Sequence, residues 1–379
     1  MKLTVIILNY NVSYFLRQCI LSVQEAIVGI ESEIIVVDNH SQDGSCEMLS
    51  KNFPQITLIK NKENLGFSKA NNQGVALAKG EYICILNPDT AVAKETFPKL
   101  LKFAEEHPDF GAIGAKLIDG TGNFLPESKR NIPKPKVAFY KMIGLKNNKN
   151  SYYANQVEEN QNAKVDILVG AFMLLKKDRY IEVGGFDEDY FMYGEDIDLS
   201  YKLLKKGYIN YYFGETTVLH YKGESTNKDK KYIQRFYGAM RVFYRKHFQK
   251  NTIFKPLVFF GVAFAKAISM LSIHSKNYKR EQPKIYYILS DNISFLKKLS
   301  DASGVSLKSI SKSSVTDGGI YNSQLIFDAN YISYNQIFKT MQALKNKENT
   351  FRIRPINCEY LIGSDSSNTK GEIFSFSKT

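Results

Sequence analysis

Short apolar runs alternate with helix-like stretches through the first hundred residues. Leu3 to Leu8, Glu33 to Val37, Gln55 to Ile59 and Glu81 to Leu86 are apolar on both faces and frequent in β-branched residues. That is the pattern of strands buried in a parallel sheet. Tyr14 to Ala26, Gly44 to Asn52, Phe67 to Lys79 and Glu95 to Glu106 lie between and after them and supply crossover helices. Strand and helix in alternation predict an α/β domain of the nucleotide-binding kind, in which ligands collect at the carboxyl ends of the strands.

Polar residues sit at those ends. Asn9 and Asn11 follow the first run, Asp38-Asn39-His40-Ser41 the second, Asn61 to Gly66 the third and Asn87-Pro88-Asp89 the fourth. Any one of these is ordinary turn and cap chemistry; four together predict a crevice. Further on, an apolar strand around Val169 to Met173 leads through the turn Gly185-Phe186-Asp187 to Gly194-Glu195-Asp196-Ile197-Asp198. Asp and Glu are rarely buried without a partner, so acids packed this densely after a strand mark either a helix N-terminus or a working site. With Asn87-Pro88-Asp89 and His220 they predict one pocket for a charged, metal-bound substrate.

Composition narrows the partners. At 379 residues with 44% hydrophobic content the chain can bury one large domain and a smaller module, which excludes a disordered chain. The formal net charge of +13 calls for an anionic partner: a nucleotide, a nucleic acid or an anionic bilayer. Cys19, Cys46, Cys84 and Cys358 show neither zinc-finger nor redox spacing, and the opening run Leu3 to Leu8 is too short for a signal-peptide core. A reducing, cytoplasmic setting is expected.

Val36 to Ser45, Glu63-Asn64-Leu65-Gly66-Phe67 with Ala70-Asn71-Asn72-Gln73-Gly74, Leu86-Asn87-Pro88-Asp89, and Gly185-Phe186-Asp187-Glu188 with Gly194 to Asp198 resemble the successive motifs of family-two glycosyltransferases. The nearest likeness is to the bacterial rhamnosyltransferase-like branch, over roughly residues 1–245. The resemblance implies a GT-A fold, with a mixed, mainly parallel sheet and flanking helices. It also implies a nucleotide-diphospho-sugar donor such as dTDP-rhamnose or a UDP-sugar, a divalent Mg²⁺ or Mn²⁺, and inversion at the anomeric carbon. Asp38 would then meet the nucleotide base, accepting a hydrogen bond from a ring N–H. Asn9, Asn11, Asn64, Gly66, Asn71 and Asn87 would line the donor crevice, with Gly66 permitting close backbone approach.

Where many relatives carry two aspartates bracketing one residue, this chain has Asn87-Pro88-Asp89. Asp89 is then the expected metal ligand and His220 the second, with diphosphate oxygens supplying much of the rest. The resemblance makes Asp196 the general base, and Glu195 and Asp198 orienting or capping residues. Gly170 and Ala171, with Glu195, would border the acceptor; Phe191 and Tyr193 could wall a sugar face or simply pack. Asp119 to Gln161 reads as a long excursion over the acceptor side.

Beyond His220 the composition changes. Basic residues from Lys222 to Lys250 precede an apolar stretch, Ile253 to Ile273, interrupted by Lys255 and Lys266. A lysine at mid-bilayer is costly, so a helix lying in the interface fits better than a spanning one. Residues 246–283 are therefore expected to associate with an anionic membrane surface, peripherally on its cytoplasmic face. Nothing accompanying the charge reads as a nucleic-acid motif. Residues 284–379 alternate again: strands at Lys284 to Leu289 and Gln324 to Phe327, helices at Phe295 to Ala302 and Tyr334 to Leu344. This small α/β module is loosely similar to the nucleotide-fold module of bacterial polyprenyl-phosphate sugar transferases. It lacks a Gly-rich loop after Leu289, which points to docking or assembly and not catalysis. The resulting expectation is an inverting transferase that elongates a lipid-linked glycan for bacterial surface polysaccharide. The alternative is a silent glycan-binding or membrane-assembly scaffold on the same fold. Homo-oligomers and polysaccharide-assembly partners stay open.

Overall fold

The computed structural model describes residues 1–133, 152–224, 230–248, 283, 285–313, 319–366 and 370–376. The first part runs β1 (Leu3–Asn9), α1 (Ser13–Ala26), β2 (Ser32–Asp38), α2 (Ser45–Asn52), β3 (Thr57–Lys60), α3 (Phe67–Leu77), β4 (Tyr82–Leu86), β5 (Thr90–Val92) and α4 (Thr96–Glu106). These bounds follow the hydrophobic pattern to within a few residues. β1 pairs in parallel with both β2 and β4, and β2 with β3. Alternate residues of these central strands feed two cores. Leu3, Val5, Ile7, Val36, Cys84 and Leu86 meet α1 and α4 on one face, while Ile6, Ile35, Val37, Ile83 and Ile85 meet α3 on the other. Double-sided burial is why the strands read as unbroken apolar runs.

The second part adds β6 (Phe110–Ile118), β7 (Ala163–Val165), β8 (Phe172–Lys176), α5 (Lys177–Glu182), α6 (Glu195–Lys205), β9 (Ile209–His220) and α7 (Lys230–His247). The sheet order is β3-β2-β1-β4-β8-β6-β9-β5, with β7 on β9. β8 runs antiparallel to β4 and β6, and β9 parallel to β6. The result is the mixed α/β fold that the sequence predicts. The pairing Thr90↔His220 brings the end of β9 back beside the Asn87-Pro88-Asp89 loop.

The excursion after β6 is anchored around Arg130, and its residues 134–151 lie outside the described residues. Arg130 bridges to Tyr153 and Ile167, and Ser128, Lys129 and Arg130 are all buried. The basic-apolar stretch 253–273 lies outside the described residues; among those described, no helix is long and apolar enough to cross a membrane.

The C-terminal module comprises β10 (Ile285–Leu289), α8 (Ile293–Ser303), β11 (Leu307–Ser309), β12 (Ser323–Asp328), α9 (Tyr334–Leu344), β13 (Thr350–Arg354), β14 (Tyr360–Gly363) and β15 (Glu372–Ser375). Its sheet order is β11-β10-β12-β13-β14-β15. Ser333 and Gln336 form a reciprocal capping box at the start of α9. One face packs on α8 through Phe295, Leu299 and Phe376. The other, with α9, shares a single core with Val12, Phe15, Ala91, Ile118, Leu219 and Tyr221 of the first domain.

Gly74 of α3 lies where a Cβ would come within 2.6 Å of Ile6 Cγ2 and 3.2 Å of Val37 Cγ2. Gly74→Val should therefore overpack the α3–sheet contact and cost about 1–3 kcal/mol in urea unfolding, although Val is the more apolar residue.

Candidate active site

Five strand ends and one helix N-terminus build the site. Asn9 closes β1 fully buried, and its Nδ2 donates to Asp38 Oδ1 (2.8 Å) and Ser41 Oγ (3.0 Å). Asp38 Oδ2 accepts from the Ser41 N–H, so both carboxylate oxygens brace the loop after β2 while each keeps a lone pair. Asn11 takes positive φ and accepts from the Gln42 N–H, fastening the first loop to the second. Asn39 is the hub between the second and third loops. It donates to Asn64 Oδ1 and the Gly66 carbonyl and accepts from Asn61 and from the Leu65 N–H. Asn64 turns back onto the Gly66 N–H.

Gly66, at φ 83°, makes a different close approach from the one expected: a Cβ there would fall 2.4 Å from the Phe191 carbonyl oxygen. Its small size lets the loop before α6 close on the loop before α3, where the Phe67 N–H donates to that same carbonyl. Asn71 sits inside α3, fully buried, donating to the Phe67 carbonyl; its Oδ1 is without a partner. Asn72 binds α3 to the Gly185-Phe186 turn through Tyr180 Oη and the Phe186 backbone.

At the end of β4 the Asn87 N–H donates to the Ala171 carbonyl, and Asn87 Nδ2 lies 3.4 Å from His220 Nε2. Asp89 is 4% exposed and places Oδ1 3.4 Å from the same nitrogen. That separation is beyond the usual hydrogen-bond range. The buried His220 Nδ1 has no partner. A carboxylate and an imidazole thus converge on one point, and the donor set fits a divalent cation shared with substrate oxygens. Among the described residues no three His, Cys, Asp or Glu side chains cluster as a complete cage, so such an ion would need the substrate.

Two further acids surround this pair. Burial raises the Glu127 carboxyl, but the contact with Lys222 outweighs it and leaves the group below its ordinary value. Glu224 has no such cation in contact. Burial, reinforced by Asp89, pushes its carboxyl up to about 7, although the Gly371 N–H donates to it.

Asp196 stands in the first turn of α6, behind Gly194 at φ 82°. Its Oδ2 accepts from Arg130 (2.6 Å) and from the Gly170 N–H (3.2 Å), and its Oδ1 from the Ile197 N–H (2.8 Å). Arg130 is itself buried and also donates to the Leu168 carbonyl and Tyr152 Oη. A Cβ on Gly170 would make ordinary contact with Asp196 Cβ and Phe67 Cζ, both at 3.4 Å. Gly170 and Ala171 connect the two halves of the site: one donates to Asp196, and the next accepts from Asn87, two residues from Asp89.

Glu195 is buried with Oε2 unpartnered; desolvation and the neighbouring Asp196 charge hold its carboxyl well above the ordinary range. Asp198 faces Lys202 and His247 and so fastens α6 to α7. Phe191 is exposed beneath Arg235, whereas Tyr193 packs edge-on against Tyr232.

Sequence reasoning passed over Arg130, Asn39 and Glu224. Asn39 stood inside a quoted motif, but Arg130 is 66 residues from its acid and carries no spacing signal. A buried arginine can be found only once the fold pairs it.

The site is thus a crevice at the carboxyl ends of parallel strands, with Asp196 and the Asp89–His220 pair joined through the Gly170-Ala171 segment. Residues 4–181 match the family described as glycosyl transferase family 2. It is 29% identical over 210 residues to the N-acetylglucosaminyl-diphospho-decaprenol L-rhamnosyltransferase of Mycobacterium tuberculosis, covering 52% of this chain and 68% of the relative. It is 26% identical over 204 residues to the low-salt glycan biosynthesis hexosyltransferase Agl10 of Haloferax volcanii, covering 53% and 61%. Among solved structures it is similar to the Pyrobaculum calidifontis mannosyltransferase PcManGT in complex with GDP-Man and Mn²⁺. There the identity is 19%, the coverage 71% and 72%, and the TM-score 0.48.

Breaking the buried pair by Arg130→Met strands the Asp196 charge and should cost about 3–5 kcal/mol in urea unfolding. The double variant Arg130→Met/Asp196→Asn should recover a large part of that loss. Glu224 gives a pH signature. Its folded-state value of about 7 lies above the ordinary 4.5, so the folded chain binds this proton more tightly than the unfolded one. The side chain therefore destabilises progressively from about pH 4.5 to 7 and fully above. Glu224→Gln keeps the acceptor for Gly371, should raise Tm by about 2–4 °C above neutral pH, and should lose that advantage below about pH 4.5.

Proposed function

We propose that this chain is an inverting glycosyltransferase that moves a sugar from a nucleotide-diphospho-sugar to a lipid-linked glycan acceptor in bacterial surface polysaccharide synthesis. The donor would be dTDP-rhamnose or a UDP-sugar. One observation carries the reading: the Asp196 carboxylate and the Asn87 backbone, two residues from Asp89, are hydrogen-bonded to the same short segment, Gly170-Ala171. The diphospho-decaprenol acceptor in the name of the mycobacterial relative supports a lipid-linked substrate. So does the formal charge of +13, which favours an anionic lipid surface and an anionic donor alike.

In this reading Asn9, Asn11, Asp38, Asn64, Gly66, Asn71 and Asn87 form the donor crevice, with Asp38 using its remaining lone pairs toward the base. Asp89 and His220 would hold Mg²⁺ or Mn²⁺ against the diphosphate. When bound, that ion neutralises negative charge on the leaving group. Gly170 and Ala171 leave room for the acceptor, whose hydroxyl comes to Asp196.

Arg130 holds the Asp196 carboxylate in place, so it can take the hydroxyl proton as that oxygen attacks the anomeric carbon and the bond to the diphosphate breaks. The proton transfer coincides with attack, when the hydroxyl has become acidic. Glu195, whose carboxyl is raised by burial and by the Asp196 charge, lies beside Asp196 and borders the acceptor.

Asp196→Asn keeps the shape and the Gly170 contact but removes the base. It should bind donor nucleotide within about twofold of wild type while turnover falls by about 10²–10⁴-fold. A variant that keeps most of its turnover would remove Asp196 from this role. Wild-type protein that neither transfers nor hydrolyses any nucleotide sugar, with or without Mn²⁺, would instead favour the scaffold.

A further inference from the structure

We propose that the C-terminal module, residues 283–376, is a positioning element of the donor site: α9 and the chain leading into β15 hold the segment His220 to Glu224 in place. The proposal rests on the reading above, in which Asp89 and His220 hold the diphosphate-bound cation. It replaces the docking role that the sequence suggests for this module.

Tyr221 is the residue through which the module acts. It follows His220 directly, its N–H donates to the Asp89 carbonyl (3.0 Å), and its ring is 1% exposed. One side of that ring meets Phe15 of α1, with centroids 5.0 Å apart. Tyr334, Phe338 and Met341 of α9 belong to the same core cluster. Tyr221 therefore cannot shift without moving either the module or the backbone of both expected metal ligands.

The seam also contains polar atoms that make it specific. Gln18 is fully buried between the two tyrosines, and none of its amide atoms, Tyr221 Oη or Tyr334 Oη makes a hydrogen bond of normal geometry. Buried polar groups that are incompletely paired are costly, and such a seam holds only if the surrounding contacts fix it. Those contacts are close. Tyr360 Oη donates to the Tyr14 carbonyl. Gly120 and Gly122, in the turn after β6, lie where a Cβ would come 2.5 Å from the Ser364 carbonyl oxygen and 2.3 Å from that of Met341.

The second hold is at Glu224. The Gly371 N–H donates to Glu224 Oε1 at 2.7 Å. A Cβ on Gly371 would meet that oxygen at 2.8 Å, the Gly363 carbonyl at 2.6 Å and Phe15 Cζ at 2.9 Å. The module thus grips the chain on both sides of Lys222-Gly223, at Tyr221 and at Glu224, immediately after His220. A coupling of this kind is reciprocal: what the module does for ligand binding, ligand binding does for the module.

The test uses the full chain with MnCl₂ and either UDP or dTDP, measuring Mn²⁺ affinity by electron paramagnetic resonance titration. Tyr334→Ala and Gly371→Val loosen the seam, while Phe295→Ala weakens the module's opposite core and serves as the stability control. The seam variants should bind Mn²⁺ in the presence of nucleotide at least about tenfold more weakly, and Phe295→Ala within about twofold of wild type. If seam and control variants behave alike, the positioning role is overturned and the donor-site reading stands. Should the seam variants not fold, hydrogen exchange on the wild-type chain decides. Adding MnCl₂ and nucleotide should slow exchange in α9 and β13, and unchanged exchange there overturns the proposal. Wild-type protein that binds neither nucleotide with Mn²⁺ overturns the donor-site reading itself, and this proposal with it.

Discussion

A carboxylate buried at a helix N-terminus is costly unless a cation or several donors are brought to it, and here Arg130 is brought to Asp196. Much of the site's second half is arranged around that pair. The chain at Ser128 to Arg130 delivers the arginine, the Gly170 N–H donates to the carboxylate, and Gly194 in the left-handed region precedes α6. The pair costs desolvation on both partners. Against that cost it gives a fixed negative charge at one wall of the crevice, which a loosely held acid would not supply.

The opposite wall is made differently. Asp89 and His220 approach without a mutual hydrogen bond of normal length, and Glu127 and Glu224 lie around them as further acids. Lys222 offsets Glu127, which leaves Asp89 and His220 as the pair that a divalent ion would meet. The two walls are held together by backbone, through Gly170 and Ala171, so their separation is set by the sheet and not by mobile side chains. The C-terminal module adds a second constraint, because the residue after His220 is packed into a core that belongs to both domains.

The first part of the fold was legible because its central strands are buried on both faces, which leaves unmistakable apolar runs separated by turn chemistry. β6 was not, although every residue in it is buried, since Gly111 and Gly114 break the apolar pattern. Those glycines answer to neighbours far along the chain: a Cβ at Gly111 would meet Asn210 and one at Gly114 would meet Leu168. The site divides in the same way. Asp89, Asp196 and His220 stand in local motifs and could be named in advance. Arg130, the hub role of Asn39 and the Gly371–Glu224 contact depend on pairings across the fold, and composition near each of them gives no hint. The shared core likewise escaped a reading by segments, because α9 looks like any amphipathic helix until its second partner is known.

The most direct test of the account is a crystal structure of the full chain with Mn²⁺ and a non-hydrolysable nucleotide-diphospho-sugar. The account predicts Mn²⁺ ligated by Asp89, His220 and diphosphate oxygens, with the Asp196 carboxylate facing the anomeric carbon from the side away from the diphosphate. A cation bound elsewhere, or a sugar whose anomeric carbon turns its leaving group toward Asp196, would contradict it.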